Sequence, residues 1–258
     1  MKSISLYKEK NSILNKLAPE SKLLYILLAI LLPAVTGSRL LSLVFILCST
    51  VLLLASRVLR HTIPILSVSG FVLLTVVIIQ GLFRAGNSIP VLQLGPVIFY
   101  QEGLLYALRI VINVINILMS FCVLILTTKP SDMIENFMRK GFSPRFGYVF
   151  ISVFQIIPQM TETMTTIMDA QRSRGMETEG NLLVRIKAFI PLISPVVMSS
   201  LINTKERALA LEVRGFNSRD RKTYYNDEKK SAADKVLQII MLLVLLLGIC
   251  WRVFEWLR

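Results

Sequence analysis

Five stretches of this 258-residue chain, at 23–38, 40–56, 62–83, 110–128 and 236–251, contain no Asp, Glu, Lys or Arg. They run for 16, 17, 22, 19 and 16 residues. A helix that crosses a bilayer needs ~20 mostly apolar residues, with ~17 as the lower end. Polar or aromatic flanks supply the remaining length of the shorter stretches, so the pattern predicts an all-α integral membrane protein with about five transmembrane helices. The composition agrees, with 54% hydrophobic and 17% charged residues, where a soluble domain carries about 25% charged ones. A soluble enzyme is excluded.

The 29 Lys and Arg residues set the orientation. Five precede the first stretch, one, two and two fall between successive stretches up to the fourth, 17 lie between the fourth and the last, and two follow it. Basic residues concentrate on the cytoplasmic side, so the N-terminus and the large basic region are expected in the cytoplasm and the C-terminus outside. The expected organisation is 1–128 as N-terminal tail and four transmembrane helices, 129–235 as a cytoplasmic or interfacial coupling region, and 236–258 as the last transmembrane helix. The N-terminal 22 residues hold five lysines but no apolar core with a small-residue cleavage site, so they read as a retained tail. Between Arg84 and Gly103, Gly86, Pro90, Gly95 and Pro96 punctuate short apolar runs and predict a turn or small hairpin.

Two further charge-free intervals, 146–161 and 188–204, lie inside the basic region. They carry Gln155, Pro158, Gln159, Pro191, Pro195 and Asn203, and every such group at membrane depth needs a partner within the protein. Both are therefore read as cytoplasmic or interfacial helices. An amphipathic helix opens the region at Pro130, with Asp132 near its positive end, Arg139 and Lys140 near its negative end, a stripe of Met133, Ile134, Phe137 and Met138, and Gly141 as terminator. After Pro158 a second helical pattern sets Met160, Met164, Ile167 and Met168 on one face and Glu162, Thr165, Asp169 and Arg172 on the other.

The most informative feature is a repeated helix end. Ala170-Gln171-Arg172-Ser173-Arg174-Gly175 and Ala210-Leu211-Glu212-Val213-Arg214-Gly215 share the pattern A-x-x-x-R-G. An Ala and an Arg four residues apart lie on one helix face, and a glycine can take the left-handed conformation that closes a helix. Arginine near a helix C-terminus also simply complements the dipole. Two such ends in one cytoplasmic region suit a partner with two equivalent carboxylate-lined pockets, because the guanidinium fork matches a carboxylate.

These twin Arg-Gly ends resemble the coupling helices of the transmembrane T component of energy-coupling factor transporters. Leu14-Asn15-Lys16-Leu17-Ala18-Pro19-Glu20-Ser21-Lys22-Leu23 is similar to that family's Leu-Asp-Pro-x-x-Lys approach to the first span. Glu102-Gly103-Leu104 resembles its Glu-Gly-Leu approach to the fourth, and Thr127-Thr128-Lys129-Pro130 also fits. Ala18 stands where the family has aspartate, and Ser173 and Val213 stand where alanine is more common. The resemblance implies a non-catalytic, multi-pass subunit of the bacterial cell membrane that couples two ABC ATPase subunits to a small substrate-binding membrane subunit for vitamin or transition-metal uptake. It implies ATPase-coupling roles for Arg174, Gly175, Arg214, Gly215, Ala170 and Ala210. ATP would be bound by the partner ATPases, and no cofactor, metal or nucleic acid by this chain.

The other residues agree with that implication. No P-loop pattern occurs. His61 is the only histidine, and Cys48, Cys122 and Cys250 all lie in apolar stretches. Two alternatives are an integral-membrane lipid-modifying enzyme, for which Asp132 and Glu135 are the only close acidic pair placed at a membrane face, and a self-sufficient channel or carrier, for which Asn113, Asn116 and Ser120 would line the path. An amphipathic helix face and interhelical hydrogen bonding account for these residues more simply.

Overall fold

The computed structural model describes residues 14, 17–86, 88–94, 97–176, 181–218, 223–224 and 232–257. They form eight helices and one hairpin: α1 (Pro19–Thr36), α2 (Arg39–Ala55), α3 (Leu59–Phe83), β1 (Pro90–Leu94), β2 (Val97–Tyr100), α4 (Gln101–Thr127), α5 (Pro130–Arg139), α6 (Pro144–Ser173), α7 (Leu182–Val213) and α8 (Ala232–Leu257). The protein is an all-α membrane protein. Among the described residues four segments are long and apolar enough to cross a membrane, namely α1, α3, α4 and Asp234–Glu255 within α8. The fifth expected span, α2, is a shorter apolar helix of 17 residues, ~26 Å long against a hydrocarbon core of ~30 Å.

The chain divides into two compact units, one within 134–227 and the other within 5–133 and 228–258. In the membrane-helix unit, α4 is the central helix, packing against α1, α2 and α3, while α8 lies on α1. One core cluster joins Leu14, Leu53, Val58, Met119, Cys122, Val123 and Leu126. The outer faces of α3 and α8 expose Phe71, Val72, Leu74, Leu243, Leu247 and Phe254, as expected of helices solvated by lipid rather than water.

Two asparagines and a tyrosine of the bundle bond to neighbouring helices. Asn116 Nδ2 donates to the Ala29 carbonyl at 2.6 Å, and Ser42 Oγ donates to Asn113 Oδ1 at 3.1 Å. The two asparagines that a channel would have used thus tie α4 to α1 and α2. The hydroxyls of Tyr25 and Ser49 join α1 to α2 at 2.7 Å.

The Gly-Pro stretch is an antiparallel hairpin, with Leu92 opposite Phe99 and Leu94 opposite Val97. The Glu102-Gly103 pair explains itself physically. The Glu102 carboxylate accepts from the Ser88 hydroxyl and from the backbone N–H of Ser88 and Ile89, fixing the hairpin base. Arg84 donates to the Glu102 carbonyl at 2.8 Å and lies 4.1 Å over the Tyr106 ring. Gly103 lets α4 approach the backbone of α3, since a Cβ there would run into the Gln80 carbonyl oxygen and lie 3.0 Å from Gly81 Cα.

In the second unit, α6 and α7 are antiparallel. Tyr148 meets Phe216 with ring centroids 5.4 Å apart, and eleven residues further along α6, Gln159 accepts from Arg207 at 2.8 Å. The sequence pattern places a helix start after Pro158, whereas α6 runs unbroken from Pro144 to Ser173 with that proline inside it. A proline within a helix removes one N–H bond, but a break would leave up to four donors and four acceptors unpaired. Pro191 and Pro195 are held within α7 in the same way. The face of Met160, Met164, Ile167 and Met168 is half-buried, while Glu162, Thr165, Asp169 and Arg172 are exposed.

Candidate functional site

The two A-x-x-x-R-G motifs fold into the same structure. The last helical residues are Ser173 and Val213, and Arg174 and Arg214 occupy the cap positions. Gly175 and Gly215 follow with φ of +87° and +73°. At the first end, the Gly175 N–H donates to the Arg172 carbonyl at 2.9 Å and the Met176 N–H to the Gln171 carbonyl at 3.1 Å. At the second, the Gly215 N–H donates to Glu212 at 3.0 Å and the Phe216 N–H to Leu211 at 2.9 Å. This pair of bonds is the Schellman closure. Added Cβ atoms at the two glycines would meet nothing within 4 Å, so backbone conformation alone is what favours glycine there.

The closure leaves both arginines at exposed helix tips. Ala170, Arg174, Ala210 and Arg214 are all exposed, and neither guanidinium has a hydrogen-bond or ion-pair partner among the described residues. Val213, beside Arg214, is 89% exposed, so this tip combines a cation with a bare apolar side chain. A third closure of the same type ends α5, where Gly141 has φ of +108° and the Phe142 N–H reaches the Phe137 carbonyl at 3.1 Å. That end carries Lys140 before the glycine and no arginine at the cap.

Because α6 and α7 are antiparallel, the two arginines leave their contact in opposite directions. Arg174 stands 15 residues beyond Gln159 and Arg214 seven beyond Arg207, which is ~22 Å and ~10 Å along the respective helices. Gln159, Thr163, Asn203 and Arg207, with the apolar Ile156 and Met160, line a small cavity where the helices meet. The acidic pair on α5 is committed elsewhere: Glu135 binds Arg139 at 2.7 Å, and Asp132 faces the Ser131 hydroxyl at 3.4 Å. Among the described residues no three His, Cys, Asp or Glu side chains converge as a metal site would require.

The sequence pattern counts Lys22 only toward topology, but the fold gives it a specific place. It is 5% exposed, and its Nζ donates to the Thr127 carbonyl and the Thr128 hydroxyl, both at 3.0 Å. The position of Lys22 in the Pro-x-x-Lys motif is the only sequence signal for this role.

The profile of the family described as cobalt transport protein matches residues 10–225 of the chain. This chain belongs to the family of T components of energy-coupling factor transporters. Its relatives include the energy-coupling factor transporter transmembrane protein EcfT of Lactococcus lactis, 29% identical over 256 residues covering 93% of this chain and 94% of the relative. The EcfT of Staphylococcus aureus is 30% identical over 243 residues, covering 90% of each chain, and that of Streptococcus equi is 29% identical over 253 residues, covering 93% and 91%. As a T component the chain is a transmembrane part of a transporter that works within a complex, and it is not the catalytic subunit.

Proposed function

We propose that this T component couples two cytoplasmic ABC ATPases to a small substrate-binding membrane subunit, and that Arg174 and Arg214 are its contacts with the ATPases. In this reading ATP is bound and hydrolysed only by the partners, and each arginine enters a carboxylate-lined groove of one ATPase, with Ala170 or Ala210 keeping the helix face one turn back narrow enough to seat. Closure of the ATPase dimer would move α6 and α7 against each other about the Gln159–Arg207 contact, and that motion would reach the substrate-binding subunit. A cytoplasmic N-terminus and a cytoplasmic 129–235 region belong to this reading and are supported by the distribution of basic residues. The cargo is a vitamin or a transition-metal ion, held by the partner subunit.

The observation that carries this reading is the pair of identically closed helix ends, each presenting an exposed arginine without a partner among the described residues. Such a side chain adds to its own fold at most the modest dipole term of about 0.3–1 kcal/mol, whereas an arginine desolvated against a partner's carboxylate is worth about 2–5 kcal/mol on truncation. Arg174→Ala with Arg214→Ala should leave the membrane level of the protein unchanged and reduce uptake at least about tenfold, measured on cells carrying the complete transporter with each candidate vitamin and with Co2+. Lysine at both positions should rescue poorly, because an ammonium cannot form the two-pronged bond. Full uptake by the double alanine variant would refute the proposal.

A further inference from the structure

We propose that the β1–β2 hairpin lies in the membrane interface, with Ile89 and Val91 set at the boundary between lipid headgroups and acyl chains, and that it thereby fixes the depth of α3 and α4. The first observation is one of composition. The 17 residues from 85 to 101, which join Arg84 to Glu102, include no Asp, Glu, Lys or Arg, and Ile89, Val91, Leu92, Leu94, Val97 and Ile98 are among them. Strand edges that stand in water are normally guarded by charged side chains, lysine above all, and a two-stranded hairpin alone is marginally stable there. Ile89 and Val91 are nonetheless 54% and 58% exposed.

The level of the hairpin follows from what it touches. The charge-free run of α3 starts at Thr62, and Gly81 comes 19 residues later, ~28 Å along the helix, where a hydrocarbon core of ~30 Å ends. Phe99 of β2 lies against this last turn of α3, since its Cδ1 would be 2.9 Å from a Cβ on Gly81. Phe83, 79% exposed, closes the lipid-facing surface of α3 at the same level. Arg84 is the next residue, and its guanidinium lies over the Tyr106 ring. An arginine with a tyrosine is what the interface favours, the charge among the headgroups and the ring just beneath. The open edges of a hairpin would leave backbone groups unpaired in hydrocarbon, so it cannot lie deeper. Bare Ile89 and Val91 side chains oppose a position further out in water. Lipid already covers α3 up to Phe83, and it is the occupant that meets the hairpin at this level.

Three contacts make the hairpin and the two helix ends one body. The Gln101 N–H donates to the Ile89 carbonyl at 2.9 Å, the Glu102 carboxylate holds Ser88 and Ile89, and Arg84 donates to the Glu102 carbonyl. A hairpin seated in the interface therefore resists sliding of either helix along the membrane normal. Such a stop matters for α4, whose 27 residues run for ~40 Å. A helix longer than the hydrocarbon core can tilt or shift at modest cost, and α4 carries α1, α2 and α3 with it.

The test adds Ile89→Trp or Val91→Trp to the full chain carrying Trp251→Phe and Trp256→Phe, reconstituted in vesicles of phosphatidylcholine and phosphatidylglycerol. Lipids brominated near the glycerol end or near the middle of their acyl chains quench tryptophan at the matching depth. Either new tryptophan should emit at shorter wavelength than tryptophan in water, and be quenched roughly twice as strongly by the shallow bromines as by the deep ones, as for a segment at the headgroup boundary. Phe71→Trp, at a site 73% exposed in the middle of α3, should show the reverse preference. Emission as in water, with quenching by iodide and by neither lipid, would overturn the proposal. Shielding that arises only in the assembled transporter would also overturn it, because a protein partner would then be the cover. Each site decides alone if the other variant does not fold. No ATPase takes part in the vesicle measurement, so its outcome is separable from that of the coupling reading.

Discussion

Gly103→Ala is the most demanding test of how α3 and α4 are joined. A methyl carbon there would overlap the Gln80 carbonyl oxygen and lie 3.0 Å from Gly81 Cα and 3.1 Å from the Gln80 carbonyl carbon. Comfortable carbon contacts are about 3.5–4.0 Å, so the two backbones must separate by at least about half an ångström, and by more near the oxygen. All three obstructing atoms are main chain, so no rotamer change relieves them. Overpacking costs about 1–3 kcal/mol where side chains can adjust, and this site belongs at or above the upper end, about 3 kcal/mol. For a protein of this size that is a fall of roughly 6–12 °C in melting temperature. Gly70→Ala on α3 is the matched control, since nothing lies within 4 Å of a Cβ there. In a helix interior that change is neutral or stabilising by up to about 1 kcal/mol. Thermal melting of the detergent-purified protein, followed by the loss of its monodisperse peak on size exclusion, measures both. Equal melting of the two variants would refute the claim that Gly103 is required by a backbone approach.

Two other outcomes follow from particular contacts. Gly175→Ala and Gly215→Ala should each destabilise their helix end by about 1–2 kcal/mol through the positive φ alone, while Gly→Asn, which tolerates that conformation, should cost less. Partial loss of uptake with alanine and near-normal uptake with asparagine is the expected pattern, and equal loss with both would contradict it. Asn116→Leu removes the 2.6 Å bond to the Ala29 carbonyl and should cost about 0.6–1.7 kcal/mol, read as a melting shift. A change several times larger would mean that Asn116 does more than tie α4 to α1.

The spans were legible because hydrocarbon imposes a length and excludes charge, so the limits of α3 and the C-terminal limit of α4 follow closely from runs without ionisable residues, while α4 begins at Gln101, ahead of its run, and carries Glu102 and Arg109. The Arg-Gly ends were legible because a Schellman closure depends on local backbone conformation and a glycine, both of which six residues can encode. Lys22 was not legible as an anchor, since its partners Thr127 and Thr128 are more than a hundred residues away in the chain and a basic residue beside a span is already explained by topology. Gly103 was visible only as part of a motif, because the carbonyl of Gln80 that requires it belongs to another helix. The continuity of α6 through Pro158 escaped for a different reason. Local rules weigh the lost hydrogen bond of a proline but not the several groups that a break would leave unpaired.

The central claim is that Arg174 and Arg214 are where this T component meets its ATPases. A photo-crosslinking amino acid placed at 174 or 214, in cells carrying the whole transporter, tests it most directly. The account predicts crosslinks from both positions to ATPase subunits, and none to them from the exposed Glu162, which lies ~18 Å back along α6 from Arg174. Crosslinks from 174 and 214 only to lipid or to the substrate-binding subunit would contradict it.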